Sequence, residues 1–278
     1  MAIRQSPNLL DRTFAILQLF LQERANWSLA EITAVVALPK PTVHRLLRVL
    51  CDHEMLRKSE EDGGYGLGPF ALALGARAIG RHRLRQLGQP VLRKLAAQTG
   101  ESALMFELAP TRDAAICIEQ IESSHGLRLV SEVGARLPLF AGASSRVILA
   151  FMPDDEIAAV LAALPKARDA APLSRKEIER QIQSTRRSGY AQSFEETSPG
   201  ACGIAAPLFA AGGAVIGCLT IAGPTTRLTR ARLSALAPTL VAAAAQLGAP
   251  IGGTPPKRAL RRAAACRSDT AAKIVTEG

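Results

Sequence analysis

The 278-residue sequence contains no uninterrupted apolar run of the roughly 18 residues that a membrane-spanning helix needs. Its start, MAIRQSPNLLDR, lacks the long apolar segment of a secretory signal, so a cytoplasmic protein with no membrane partner is expected. Cysteines are few and scattered. Cys51, Cys117, Cys202, Cys218 and Cys266 form no CxxC pair of the kind that holds zinc, so reduced thiols are expected, with no metal and no cofactor. Acid is missing from one segment only. Residues 71–100 carry 6 Lys/Arg and 0 Asp/Glu, against 8 and 8 in residues 1–70, 14 and 14 in residues 101–250, and 6 and 2 in residues 251–278. The net charge of +10 is therefore local, which suits attraction to a polyanion, although basic helices and tails also serve solubility. A hydrophobic content of 48% excludes global disorder, and the length allows two domains.

The N-terminal pattern NLLDRTFAILQLFLQERA predicts a helix capped by Asn8, with Leu10, Phe14, Leu17 and Leu21 as its buried stripe, widened by Leu9, Ile16 and Phe20. In SLAEITAVVAL, Ser28 and Glu31 have capping-box spacing, and Leu29, Ile32 and Val36 supply a buried side. A third helix follows in LPKPTVHRLLRVL. Pro41 suits its first turn, and Val43, Leu46, Leu47 and Leu50 share one face, leaving Lys40, Thr42, His44, Arg45 and Arg48 toward the other. Leu56-Arg57-Lys58 and Tyr65-Gly66-Leu67 flank an acidic, glycine-containing turn and read as a hairpin. Three helices and a hairpin in residues 1–68 describe a winged helix-turn-helix, whose third helix enters the major groove.

Residues 69–99 read as a helical linker with a new helix starting at Pro90, and with Arg77, Arg81, Arg83 and Arg85 available to a phosphate backbone. Its apolar face could equally pair with a second copy. From Glu101 the period changes: SALMFELAP, AAICIEQIES and LRLVSEVGA read as strands. Helices are predicted from Ser144 to Phe151, in MPDDEIAAVLAAL, and after a cap at Ser174 with Glu177. Two strands, ACGIAAPLFAAGG and AVIGCLTIAG, precede a long helix containing Pro238 as a kink site. Residues 100–248 thus form one α/β domain, and residues 249–278 read as a disordered basic tail.

Four pieces in order carry a resemblance. They are the recognition segment with Tyr65-Gly66-Leu67-Gly68; VGARLPL at 133–139 with ASSRVILA at 143–150; RSGYAQSFEE at 187–196 with Gly200 and Ile204-Ala205-Ala206-Pro207-Leu208; and Ile221-Ala222-Gly223-Pro224. The chain resembles the IclR family of bacterial transcriptional regulators over nearly all of residues 8–248. The resemblance implies a multidomain α/β protein: an N-terminal winged helix, a linker helix and a GAF-like mixed α/β domain that binds a small effector. It also implies homodimers, often paired again into tetramers, on palindromic double-stranded operator DNA beside catabolic genes.

DNA contacts are accordingly assigned to Lys40, Thr42, His44, Arg45 and Arg48, with Arg57 and Lys58 on the wing. The resemblance places effector contacts at Leu139, Gly142, Ala143, Ser193, Cys202, Gly203, Thr220 and Ala222, with Cys202 equally read as a small buried hydrophobe, and Ser144 is added as a candidate donor at a helix N-terminus. Ser193, Gly203 and Ala222 stand where some relatives hold an acidic residue, cysteine and serine, which implies a less polar pocket and a larger organic or aromatic acid. Ser144 and Ser145 are placed either to bind a carboxylate at a helix N-terminus or only to cap that helix. Glu54 replaces the usual glycine after the recognition helix, where a left-handed cap prefers glycine. Two other readings stay open. An enzyme would draw on Cys117, His125, Glu195 and Glu196, which lack an activating motif, and a winged-helix scaffold would bind protein without an effector.

Overall fold

The fold follows from a computed structural model that describes residues 8–21, 24, 26–164 and 173–254. Cys266 and the expected tail from residue 255 onward lie outside the described residues, and the tail's first residues instead hold a 3-10 turn at Ala249–Ile251. The chain divides into two units, Met1–His82 and Arg83–Gly278.

In the first unit, α1 (Leu9–Leu19), α2 (Leu29–Val36) and α3 (Lys40–Asp52) precede strands β1 (Leu56–Lys58) and β2 (Tyr65–Leu67) and helix α4 (Pro69–Arg81). Asn8 caps α1 by accepting from the Leu10 amide at 3.0 Å. The Ser28–Glu31 capping box is complete, with the Glu31 carboxylate accepting from the Ser28 amide at 2.9 Å and its hydroxyl at 2.7 Å. Trp27 bridges to Tyr65 and extends the wing. The core joins Ile16, Leu19 and Phe20 to Ile32, Val36, Val43, Leu46, Leu47, Leu50 and Leu56. The predicted α3 face is therefore the buried one. The α1 stripe holds only in part: Ile16 and Phe20 are buried and Leu17 packs against this core, joined by Ala15 and Leu19, while Leu9, Leu10, Phe14 and Leu21 are exposed.

The capping box predicts an acid response. Hydrogen bonds from the Ser28 hydroxyl and then its amide hold the Glu31 carboxyl down to about 2, from an ordinary 4.5. A carboxylate depressed on folding stabilises the native state above its unfolded value, and that contribution is lost as pH falls from about 4.5 toward 2. Glu31→Gln is expected to flatten the fall in thermal midpoint across this window. Parallel profiles for wild type and variant would show that the box contributes nothing there.

In the second unit, α5 (Arg83–Thr99) leads into a six-stranded antiparallel sheet ordered β5-β4-β3-β8-β7-β6. Its strands are β3 (Ser102–Leu108), β4 (Ala114–Ile121), β5 (Arg136–Pro138), β6 (Ala191–Phe194), β7 (Ala201–Phe209) and β8 (Val215–Pro224). One face carries α5 and α9 (Arg230–Gly248) on a core of Leu92, Leu95, Met105, Ile204, Leu219 and Leu240. The other carries α6 (Gly142–Phe151), α7 (Asp154–Ala162) and α8 (Arg175–Ser188). This two-layered cover gives a mixed α/β domain. By length and composition Arg230–Ile251 passes for a membrane span, and one face of it, with Leu233, Leu240 and Leu247, is buried on the sheet.

Three expectations for this region change. The linker break falls at the extended His82, not at Pro90, which lies inside α5. Gly88 explains why α5 continues: a Cβ there would lie 2.4 Å from Met105 Cε, so the helix is pressed onto the sheet through this turn, and packing outweighs one lost amide. LRLVSEVGA is not a strand; the ladder holds only Arg136–Pro138, and Leu127, Val130 and Val133 are exposed. β6 is an additional edge strand that the periodicity did not show, being only 4 residues long.

Candidate nucleic-acid interface and effector site

On α3 the apolar residues anchor one side, and Lys40, His44, Arg45, Arg48 and Val49 are exposed on the rest, with Thr42 half-buried. No side chain caps the helix at Pro39; Pro41 has no amide hydrogen and the Thr42 and Val43 amides donate to the Pro39 carbonyl at 2.8 and 3.1 Å, so what the helix start offers an anion is chiefly the positive end of its dipole. Arg45 forms no ion pair with a described residue, whereas Arg48 Nε lies 3.8 Å from Asp52. Arg57 and Lys58 are exposed on β1. At the wing tip Glu60 and Glu61 are exposed, while Asp62 accepts from the Gly64 amide at 2.9 Å. The Ser59 hydroxyl, and then that amide, hold the Asp62 carboxyl below its ordinary value, so this acid shapes the turn.

In the second unit the small residues line up. Ser193 pairs with Gly203, and Gly203 with Ala222, in one row across β6, β7 and β8. Strand alternation turns this row to the α6 face, where Ala191, Ala205 and Ala222 pack. Thr220, two residues from Ala222, bonds its hydroxyl to that of Ser144 at 2.9 Å. Leu139, Gly142 and Ala143 are buried at the start of α6. The row, the Ser144–Thr220 pair and the α6 N-terminus thus belong to the same face. Cys202 does not join them. Its thiol points through the sheet to the other core, 3.2 Å from the Leu228 carbonyl and 3.4 Å from that of Gly223.

Residues 9–60 match the IclR helix-turn-helix domain, and residues 76–249 match the bacterial transcriptional regulator IclR C-terminal domain. The chain belongs to the IclR family. It is 30% identical over 247 residues to the HTH-type transcriptional regulator KipR of Bacillus subtilis, covering 87% of this chain and 96% of that one. The transcriptional repressor IclR of Escherichia coli is 26% identical over 246 residues, covering 88% and 90%. An IclR transcriptional regulator from Alicyclobacillus acidocaldarius shares the fold with a TM-score of 0.77 at 26% identity, over 90% of this chain and 100% of that one. The protein is a DNA-binding transcriptional regulator and not an enzyme.

The side chains named for catalysis fit the regulator. Burial pushes the Cys117 thiol up to about 11, away from a nucleophilic thiolate. Glu195 and Glu196 bind different partners, the Gly200 amide at 2.9 Å and the Gly142 amide at 3.2 Å respectively. Glu196 also holds Arg146, at 2.5 Å from Nη1 and 3.0 Å from Nη2. Sequence reasoning assigned Arg146 no role, yet among the described residues it is the largest fully buried side chain, 1% exposed, and donates as well to the Gln192 carbonyl. The available signal was a cation within the apolar VILA helix, since a charge buried there requires an anion from elsewhere. At the other end of α6, Arg186 donates to the Ala150 carbonyl and pairs with Asp154 at 2.7 Å. Opposite charges therefore complement both poles of the α6 dipole.

Proposed function

We propose that this IclR-family regulator controls catabolic genes from a palindromic operator, bound as a homodimer with α3 of each copy in a major groove. A small organic or aromatic acid is its effector, bound beside α6 in the second unit. The observation that carries the DNA reading is the exposed cationic edge of α3, next to an uncapped helix N-terminus and above a fully apolar buried face. The effector reading rests on the row of Ser193, Gly203 and Ala222, small residues on the same face of the sheet as the start of α6 and the Ser144–Thr220 hydroxyl pair.

The test is a footprint on the intergenic DNA beside the gene, at low salt, repeated with a panel of organic and aromatic acids. A protected site that shifts with one of the acids is expected. No protection would end the operator reading, and a site indifferent to every acid would end the effector reading. Arg45→Ala is expected to weaken operator binding by about 1–3 kcal/mol without loss of secondary structure. Arg48→Ala should cost less, because its guanidinium is already shared with Asp52. Equal affinities of wild type and Arg45→Ala in the same assay would remove Arg45 from the interface.

A further inference from the structure

The α6 N-terminus already holds an anion, and it comes from the protein itself. The Glu196 carboxylate accepts from the Gly142 amide and from both terminal nitrogens of Arg146. It does so from residues 195–200, which join β6 to β7 and contain the exposed Glu195, Thr197, Ser198 and Pro199. This strap lies directly on the helix end, since a Cβ on Gly142 would meet Thr197 Cγ2 at 3.0 Å. Its backbone is constrained as well: Glu195 is left-handed at φ 55°, a conformation costly for a side chain larger than glycine. A second, independent feature concerns the same turn. Ser145 is fully buried with its hydroxyl unpartnered among the described residues, and the Cβ of a helical residue tilts toward the helix N-terminus. The turn thus has donor capacity that its internal carboxylate does not use.

We propose that Glu196 is a built-in stand-in for the effector's carboxylate. An incoming organic acid takes over the Gly142 amide and Arg146, one carboxylate replaces another with charge balance kept, and the 195–200 strap is released. This rests on the effector reading above and adds the signal that the ligand generates. Arg146 is the shared counterion, so a neutral analogue of the same shape has no means of displacing Glu196.

The test uses the full chain as wild type, Glu196→Gln, and the double variant Arg146→Met with Glu196→Gln, which leaves no unpaired buried charge. Hydrogen exchange by mass spectrometry reads the strap, and calorimetry reads binding of benzoate and of its neutral counterpart benzamide. Residues 195–200 are expected to exchange about tenfold faster in both variants, and in wild type with benzoate, while β7 and β8 stay protected. Benzoate is expected to bind Glu196→Gln about tenfold more tightly than wild type and to lose that gain in the double variant, with benzamide unchanged throughout. Unchanged strap exchange in the variants, or benzoate bound equally by wild type and Glu196→Gln, overturns the exchange of carboxylates while leaving the effector reading intact. If no protein binds benzoate and no acid shifts the footprint, the effector reading fails and the proposal with it.

Discussion

Phe14→Glu combined with Leu72→Glu is expected to convert the proposed dimer to monomers and to weaken binding to the proposed operator by roughly a hundredfold or more. Phe14 is 61% and Leu72 75% exposed, on helices whose other apolar side chains, among them Leu10, Leu74 and Ile79, are also open to solvent. α4 buries no residue at all within the chain, although it carries Phe70, Leu72, Leu74 and Ile79. Apolar area of this extent on a folded unit marks a contact surface, and the palindromic operator proposed above calls for a second copy. Carboxylates placed there need not disturb the core, so circular dichroism should match wild type. Sedimentation equilibrium gives the answer. A variant that remains dimeric would move the interface elsewhere, with the exposed Leu127, Val130 and Val133 the next surface to change.

Gly68→Ala is expected to destabilise the winged-helix unit by about 3 kcal/mol, enough to lower its melting transition by many degrees. Its φ is −95°, which any residue adopts, so conformational freedom is not the reason. Close approach is. A Cβ at Gly68 would lie 2.2 Å from the Glu54 carbonyl oxygen and 2.9 Å from the carbon. The turn after α3 and the turn after β2 are stitched together there, with the Gly68 amide on the Met55 carbonyl at 2.9 Å and the Phe70 amide on the Glu54 carbonyl at 3.1 Å. Glu54 itself is left-handed at φ 55°, as the position after a recognition helix predicts, and carries a side chain where glycine would fit without strain. A thermal scan of the variant measures the loss; a midpoint within a degree of wild type would mean that the two turns part easily.

The sequence was most readable where one face must be buried within the chain. Val43, Leu46, Leu47 and Leu50 on α3, and the Ser28–Glu31 and Ser174–Glu177 caps, follow from spacing alone. α1 was less readable because apolar residues surround it: Leu9, Leu10, Phe14, Ala15, Ile16, Leu17 and Leu19 leave periodicity without a single choice of face. For the proposed effector site, family resemblance named Ser193, Cys202, Gly203, Thr220 and Ala222, and strand parity turns Cys202, one residue away from Gly203, to the opposite face of the sheet. Arg146 and Glu196 lie 50 residues apart, and nothing local couples them; only the fold brings the buried guanidinium to its carboxylate.

The exposed acids at the wing tip bear on how the regulator is shared out among the DNA of a cell. Residues 1–70 carry equal numbers of cations and acids, 8 and 8, and Glu60 and Glu61 stand at the outer end of the hairpin. Nonspecific affinity depends on phosphates neutralised, and every genome offers about a million or more decoy sites. A reading head that is neutral in sum adds little to that count of phosphates, so the hold of the protein on decoys falls mainly to the cations behind it, such as Arg77, Arg81 and Arg83 in the acid-free segment.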